Sequence, residues 1–423
     1  MAEDGTDRRQ NQSMAETNWA GNHTYRARIE RVRSVEHLQE VVAAAPRVRA
    51  LGSRHSFTDI TDTDGGVLVS LADLPPAVEV DPASRTARVA GWTTYGLVGT
   101  QLQAEGWALA NLASLPHISV AGALATGTHG SGVANGSLAT AVAALEIVGA
   151  NGELRTVRRG DPDFHASVVS LGALGVVTSV TLDIEPAYDV RQAVYTGLRW
   201  DTVGGDLDAL LSSAYSVSLF TRWGDEVEQV WLKSRADAVP GHLFGAPPAA
   251  TTMHMLEGGD PEAVTPQLGV AGPWLDRLPH FRMGFTPSRG VELQSEYLFP
   301  RSHVGEAVDR LRRLRELLAP VLQASELRTV AADEHWLSSA YGQDVVGVHF
   351  TWVRDAQRVY AVLPVLEDAL LPLGARPHWG KCFVAEAGRL EPLYPRMADF
   401  RALRDRVDPD RVFDNAFLRR VIG

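Results

Sequence analysis

A run of small residues in the first third of the chain constrains the fold most. It covers Ser119–Gly132 and reads SVAGALATGTHGSG. Glycines in such a run let backbone N–H groups approach a pyrophosphate closely, and the Thr and Ser hydroxyls are further donors. The run is not a Walker loop, because no Gly-Lys-Ser/Thr follows, and it lacks the Gly-x-Gly-x-x-Gly pattern. Taken alone, it would also fit a flexible linker.

A second turn of the same character, Gly52–Ser56 (GSRHS), follows a strand predicted at Arg47–Gly52. His55 stands at the tip of this turn. A lone histidine in a loop is usually a surface residue, whereas in a turn built for close backbone approach it would touch a bound cofactor. Two turns of this kind, each beside a strand, favour one long phosphate-bearing cofactor clamped between them.

The composition argues against several other classes of protein. A chain of 423 residues with 45% hydrophobic content is long enough for two or three domains. Its net charge of -11 argues against a nucleic-acid partner, and no apolar run approaches the length of a membrane span. The single cysteine, Cys382, excludes internal disulfides and favours a reducing cytoplasm. We expect a monomeric, cytoplasmic protein without a metal, since no His, Asp or Glu pair has convincing metal-ligand spacing.

The secondary-structure signals change character near residue 188. Before it, helix and strand patterns alternate, with a hairpin predicted at Asn151-Gly152 and a helix capped by Asp161. After it, longer alternating strands are followed by helices, which we expect on one face of a sheet. The pattern therefore predicts an α+β protein.

Two strands predicted between residues 325 and 353 carry polar side chains on one face only. Alternation places Glu326 and Arg328 on one side of the first strand. It places His349 and Thr351 together on the second strand, with apolar side chains on the reverse. Such a face is either a solvated surface with an ordinary ion pair or the wall of a pocket. Antiparallel sheets often have one wet face, so the residues alone leave both interpretations open.

Six short motifs together resemble one known family, the vanillyl-alcohol-oxidase type of FAD-linked oxidases. Within it, the sugar-oxidising branch that contains the bacterial alditol oxidases is the most similar. The motifs extend over nearly the whole chain, at 18–22 (NWAGN), 52–56, 115–119 (LPHIS), 119–132, 170–179 (SLGALGVVTS) and 376–381 (RPHWGK). The resemblance implies a two-domain α+β fold, in which a PCMH-type FAD-binding domain meets an antiparallel-sheet substrate (cap) domain.

The resemblance also implies domain boundaries and cofactor contacts. We expect a loose tail at 1–17, the FAD-binding domain at 18–187, the substrate-binding domain at 188–393, and a segment at 394–423 that completes the FAD domain. In this family the histidine at the position of His55 bonds covalently to the methyl group of the flavin's dimethylbenzene ring. Some relatives attach the flavin a second time, through a cysteine in the stretch that corresponds to Leu112–Pro116. This stretch contains no cysteine here, so a single covalent bond to the flavin is expected. Arg54 stands where the family commonly has glycine. The residues expected to bind FAD are Leu51, Gly52, Ser53, Arg54, His55, Ser56, Ser114, Ser119, Gly122, Thr126, Gly127, Thr128, His129, Val177 and His378.

The implied reaction is oxidation of the terminal primary alcohol of a polyol such as xylitol or sorbitol to the aldose. Hydride would pass to FAD, with O2 as the acceptor and H2O2 as the product. Cations would stabilise the developing alkoxide, and neutral His349 would accept the hydroxyl proton, although the sequence does not decide which group takes it. Alternatives are an aldonolactone oxidase or dehydrogenase of the same fold, and a flavin- or sugar-binding protein without turnover. The implied catalytic residues are Arg328, Lys381, His349, Glu326, Ser114 and Thr351.

Overall fold

The computed structural model describes residues 16–203, 205–285 and 292–423 of the protein. Helices and strands follow one another in an α+β arrangement, as the sequence predicts. In the part of the chain that the structure describes, no helix has the length and apolar character needed to span a membrane. The α-helices are Val35–Ala44, Tyr95–Ala104, Val120–Ala125, Phe164–Val168, Trp200–Val203, Leu207–Leu211, Val304–Arg313, Arg315–Leu318, Ala356–Leu370, Ala387–Leu390, Met397–Val407 and Ala416–Val421. Short 3-10 helices occupy Leu138–Ala141, Pro261–Ala263, Trp274–Asp276, Arg301–His303, Leu371–Leu373 and Glu391–Leu393.

The N-terminal part is built on a parallel and an antiparallel sheet. The parallel sheet has the strand order Arg28–Arg31, Val67–Ser70, Val48–Ala50. The antiparallel sheet has the order Val78–Asp81, Thr86–Ala90, Val176–Asp183, Val142–Val148, Leu154–Arg158. The last two strands form the hairpin predicted at Asn151-Gly152, where Gly152 adopts a φ of +77° that favours glycine. Two-residue strands also pair at Trp107–Ala108 with Glu185–Pro186 and at Leu198–Arg199 with Glu226–Val227.

The helix expected to begin at Asp161 starts later. Its first residue is Phe164, and Asp163 occupies the N-cap position. The Asp161 carboxylate instead accepts the backbone N–H of Arg158 at 2.7 Å, within the turn that precedes the helix. The prediction was wrong because a short acidic side chain that bonds its own turn competes with its use as a helix cap.

A large antiparallel sheet dominates the rest of the molecule. Its strand order is Ala271–Pro273, Asp189–Tyr195, Gln229–Ser234, Ser216–Thr221, Leu322–Val330, Val345–Val353, Glu292–Pro300, Arg376–Pro377. Helix Ala356–Leu370 packs against this sheet, and its buried Glu367 accepts a hydrogen bond from the Tyr297 hydroxyl at 3.0 Å. This face of the sheet is therefore the one that helices cover.

Alternation along the central strands sorts apolar side chains onto that helix-covered face. The rings of Phe350 and Trp352 stack with centroids 5.1 Å apart, and Leu327 is fully buried. The indole N–H of Trp352 donates to the Ser295 hydroxyl at 3.0 Å, so this buried N–H group has a hydrogen-bond partner. The polar residues of the same strands consequently point to the opposite face, towards the N-terminal part of the chain.

The C-terminal segment returns to the N-terminal sheet. The N–H of Val48 donates to the Val412 carbonyl at 2.8 Å. The Asn415 side chain has two tasks: its oxygen accepts the N–H of Leu418 and caps the last helix, and its nitrogen donates to the carbonyls of Ile60 and Asp62. One buried amide thus joins the end of the chain to a turn close to its beginning.

We expect Asn415→Ala to lower the free energy of unfolding more than loss of an ordinary cap. A lost cap costs about 1 kcal/mol, and depriving the Asp62 carbonyl of its donor adds about 1–3 kcal/mol, whereas the Ile60 carbonyl keeps its hydrogen bonds from Arg49. Ser34→Ala is the matched control, because Ser34 caps helix Val35–Ala44 through a local bond only. Thermal unfolding of both variants compares them. Equal shifts of the midpoint would show that Asn415 acts only as a helix cap.

Candidate active site

The two turns of small residues line one wall of a cavity of about 650 Å³. The Ser53 hydroxyl accepts the backbone N–H of Ser119 at 3.0 Å and so joins one turn to the other. Of the residues expected to bind FAD, Gly127 does not line the cavity but turns the backbone beside it, with a φ of +69°. Those that do are Leu51, Gly52, Ser53, Arg54, His55, Ser56, Ser114, Ser119, Gly122, Thr126, Thr128, His129, Val177 and His378.

Glycine gives space where the two turns meet. A Cβ at Gly52 or at Gly122 would lie 2.9 Å from the Ser119 hydroxyl oxygen, closer than real Cβ atoms come. That hydroxyl is buried and has no hydrogen-bond partner among the described residues. A buried unpaired hydroxyl is costly, and a phosphate oxygen is a suitable acceptor for it. The cradle formed by Gly52–Ser56 and Ser119–Gly132 therefore fits the pyrophosphate of FAD.

His55 lies inside the same wall, and its ring packs 5.5 Å from the ring of Trp19. Its Nδ1 atom is buried and forms no hydrogen bond within the described parts of the chain. Burial, helped by the nearby His117, lowers the pKa of His55 to about 4. The imidazole is therefore neutral at neutral pH, which is the form that can bond to carbon. This unpaired nitrogen fits a tether to the flavin ring.

Arg54 takes the conformation that glycine usually supplies at this position, with a φ of +65°. Its guanidinium forms an ion pair with Glu16 and lies 5.8 Å from the ring centroid of Tyr25. Its carbonyl accepts the N–H of Trp19 at 2.9 Å. The N-terminal segment therefore binds both the guanidinium and the backbone carbonyl of Arg54, and it helps to hold the strained turn that carries His55.

The opposite wall of the cavity is the polar face of the large sheet. Glu326 is directly opposite His349, and His349 is directly opposite Glu296, so the three share a face. Arg328 is opposite Gly347, which leaves room for the guanidinium. Glu326, Arg328 and His349 are only 5%, 5% and 8% exposed. The solvated-surface interpretation of this face is wrong, because the N-terminal part of the chain covers it.

Glu296 is the centre of this face, and the sequence analysis missed it. One carboxylate oxygen accepts a hydrogen bond from Arg328 at 2.9 Å and lies 3.1 Å from Nε2 of His129. The other oxygen pairs with the Lys381 ammonium group. Burial raises the pKa of Glu296, but the charges of Lys381 and Arg328, with His129, outweigh it and hold the pKa well below its usual range. Polar residues alternate along VELQSEYLF, so the pattern that revealed Glu326 was present here too.

His349 lies between Lys381 and Thr351. The Lys381 nitrogen is 2.8 Å from Nδ1 of His349, and Nε2 is 3.1 Å from the Thr351 hydroxyl. Burial and the neighbouring Lys381 lower the pKa of His349 to about 3. An ammonium group only donates, so Nδ1 accepts from Lys381 and the ring proton resides on Nε2. Burial also lowers the pKa of Lys381.

The remaining predicted residues join the two walls. Arg328 donates to the Ser114 hydroxyl at 3.1 Å, which links the sheet to the segment before the run Ser119–Gly132. The ring of His129 faces the Glu296 carboxylate. His378 accepts the N–H of Gly380 through Nδ1 at 3.1 Å and lies next to His129. Sequence reasoning also overlooked His280, whose Nε2 lies 2.7 Å from the Glu326 carboxylate.

Comparison with known proteins places this chain in a family. A family model described as an FAD binding domain matches residues 27–158, and one described as D-arabinono-1,4-lactone oxidase matches residues 283–421. An alditol oxidase from a Streptomyces strain is 49% identical over 414 residues, covering 97% of this chain and 99% of the relative. An L-gulono-1,4-lactone dehydrogenase from Mycobacterium tuberculosis is 33% identical over 440 residues, covering 96% and 99%.

The fold has a counterpart among solved structures. Cholesterol oxidase from Brevibacterium sterolicum superposes with a TM-score of 0.80 at 16% identity, covering 97% of this chain and 96% of that one. At this identity the likeness concerns the fold alone. Together with the sequence relatives, it confirms the two-domain α+β fold with an FAD-binding domain that the motifs implied. The chain belongs to the vanillyl-alcohol-oxidase-type family of FAD-linked oxidoreductases, in which its sequence is similar to alditol oxidase.

Proposed function

We propose that the protein oxidises the terminal primary alcohol of polyols such as xylitol and sorbitol to the aldose, with O2 as acceptor and H2O2 as product. The observation that carries this proposal is the face formed by the buried Glu326, Arg328 and His349 with the adjacent Lys381, opposite the cofactor cradle in one cavity. A row of charged donors and acceptors suits a chain of hydroxyl groups and rejects analogues that lack them. The 49% identical alditol oxidase supports the same substrate class.

The cradle residues would hold FAD, which when bound supplies the acceptor for the substrate's hydride. Gly52, Ser53 and the turn at Ser119 would contact the pyrophosphate through N–H and hydroxyl groups. His55 would be bonded through a ring nitrogen to the methyl group of the dimethylbenzene ring. Its buried, unpaired Nδ1 and neutral state support this assignment.

The charged residues of the sheet would act on the reacting hydroxyl. Arg328 and Lys381 would stabilise the alkoxide that develops as hydride leaves, because preorganised cations stabilise such charge in a buried site. Glu326 would accept hydrogen bonds from the hydroxyls next to the reacting carbon. Ser114 and Thr351 would fix the pose of the chain. The hydroxyl proton would leave by way of Lys381, which would take it up while passing one of its own protons to Nδ1 of His349, the unprotonated ring nitrogen.

A second candidate is oxidation of an aldonolactone. It is favoured by the match of residues 283–421 to the D-arabinono-1,4-lactone oxidase model and by the 33% identical lactone dehydrogenase. Both reactions need hydride transfer from a carbon that bears a hydroxyl group, so the same cavity serves either. They differ in whether the substrate is an open chain or a ring.

We expect the purified holoenzyme to release H2O2 with xylitol and sorbitol, and little with L-gulono-1,4-lactone or D-arabinono-1,4-lactone. A coupled peroxide assay with equal concentrations of the four compounds measures this. Turnover of the lactones but not the polyols would replace the first candidate with the second. Binding of a sugar without any bleaching of the flavin absorbance would exclude both oxidations.

The tether predicts a second result. After denaturation and acid precipitation, wild-type protein should retain yellow colour in the pellet, whereas His55→Ala should release its flavin into the supernatant. Activity of His55→Ala should also fall, because a flavin that lacks the histidyl substituent is a weaker hydride acceptor. His303→Ala is the control, since His303 bonds to the Leu373 carbonyl and neither residue lines the cavity. A yellow pellet from His55→Ala would show that another residue is the tether.

A further inference from the structure

Two buried titratable side chains behind Glu326 are not used by the proposed reaction. Lys233, on strand Gln229–Ser234, is only 1% exposed. Its ammonium group donates to the Leu278 carbonyl, lies 3.4 Å from the Pro279 carbonyl, and is 3.1 Å from Nδ1 of His280. His280 in turn reaches Glu326. A continuous chain of polar groups therefore leads from the interior of the sheet to the cavity wall.

The direction of each hydrogen bond in this chain follows from Glu326. Its carboxylate has acceptors only, so Nε2 of His280, 2.7 Å away, must carry the ring proton and donate to it. Nδ1 of the neutral ring is then left to accept from Lys233, whose pKa is lowered by burial to about 7. Burial, together with the adjacent Lys233, lowers the pKa of His280 to about 4, so the ring is neutral at neutral pH.

Packing fixes the position of the His280 ring. Phe220 and Trp231 meet it edge to face, with centroids 5.7 and 5.0 Å away. The backbone N–H groups of His280 and Phe281 both donate to the Ser114 carbonyl, at 3.0 and 3.2 Å. The ring is consequently held from the sheet, from its own loop and from the segment that carries Ser114.

This arrangement distinguishes the two oxygens of Glu326. Oε1 faces His280 at 2.7 Å and Nε of Arg328 at 3.5 Å. Within residues 16–203, 205–285 and 292–423, no hydrogen bond to Oε2 is formed. Burial raises the pKa of Glu326, but Arg328 and His280 outweigh it and hold the pKa far below its usual value. The carboxylate is thus charged, held at one oxygen, and free at the other to accept a substrate hydroxyl.

We propose that Lys233 and His280 are positioning residues whose hydrogen-bond chain orients the Glu326 carboxylate and thereby sets the preference for substrates with several adjacent hydroxyls. The inference deepens the proposed function and rests on it for the identity of the substrate. The chain itself does not depend on that identity. It can therefore be tested in the holoenzyme without any substrate.

The first test is nitrogen NMR of holoenzyme labelled with 15N-histidine, with the His280 signals assigned by their loss in His280→Gln. Between pH 6 and 8 we expect His280 to be neutral, protonated at Nε2 and unprotonated at Nδ1. In Lys233→Met, the loss of the adjacent positive charge should let His280 bind a proton at higher pH than in the wild type. A wild-type ring protonated at Nδ1, or titration unchanged by Lys233→Met, would overturn the chain.

The second test is kinetic and compares xylitol with propane-1,2-diol, which lacks most of the hydroxyls that Glu326 would bind. His280→Phe keeps a ring but has no donor, so kcat/KM for xylitol should fall about tenfold, mainly through KM. The diol should lose much less. His280→Gln places an N–H near the position of Nε2 and should restore most of the loss. His303→Gln serves as the control and should match the wild type.

Two kinetic outcomes contradict the proposal. Equal losses on xylitol and the diol in His280→Phe would mean that His280 is a purely structural residue. Failure of His280→Gln to recover activity on xylitol would mean that the donor to Glu326 is not what matters. If wild-type enzyme does not oxidise xylitol at all, the proposed function fails, while the NMR result still decides whether the chain exists.

Discussion

The interaction on which the site depends is the buried carboxylate of Glu296, which faces two cations at once. Arg328 comes from a neighbouring part of the sheet, Lys381 from the loop after its last strand, and Glu296 is only 1% exposed. Removing two cations from water is expensive unless an opposite charge and further hydrogen bonds compensate them. Glu296 provides that compensation, because its negative charge favours the charged forms of Arg328 and Lys381.

Glu296 also connects the two walls of the cavity. Its contact with His129 reaches the run of small residues that would cradle the pyrophosphate, and Arg328 reaches Ser114 beside it. Hydride transfer requires donor and acceptor carbons in a fixed, close arrangement, and small displacements reduce the rate steeply. Polar contacts between the walls, each with a charged group on the sheet side, set that separation more firmly than apolar packing alone, because their geometry is directional. The cofactor cradle and the substrate face therefore act as one unit.

The sequence predicted the site unevenly, for physical reasons. Alternation identified the face of Glu326 and Arg328, because strand geometry fixes which side chains share a side. It did not show that this face is buried, since burial depends on a cover supplied by residues remote in the sequence. Glu296 had the same signal, but its partners become visible only in the register of three strands. His280 lies in a loop without periodicity, and only the folded chain brings it to Glu326.

The most direct test of this account is the rate constant for flavin reduction by xylitol in Glu296→Gln, measured by anaerobic stopped flow. The substitution keeps the shape and removes the charge that holds Arg328 and Lys381. Glu367→Gln is the matched control, because Glu367 is also fully buried but bonds Tyr297 on the helix-covered face of the same sheet. With FAD still bound, we predict that reduction slows on the order of 10²-fold in Glu296→Gln and little in Glu367→Gln. Wild-type rates in Glu296→Gln, or equal losses in the two variants, would contradict the central role of Glu296.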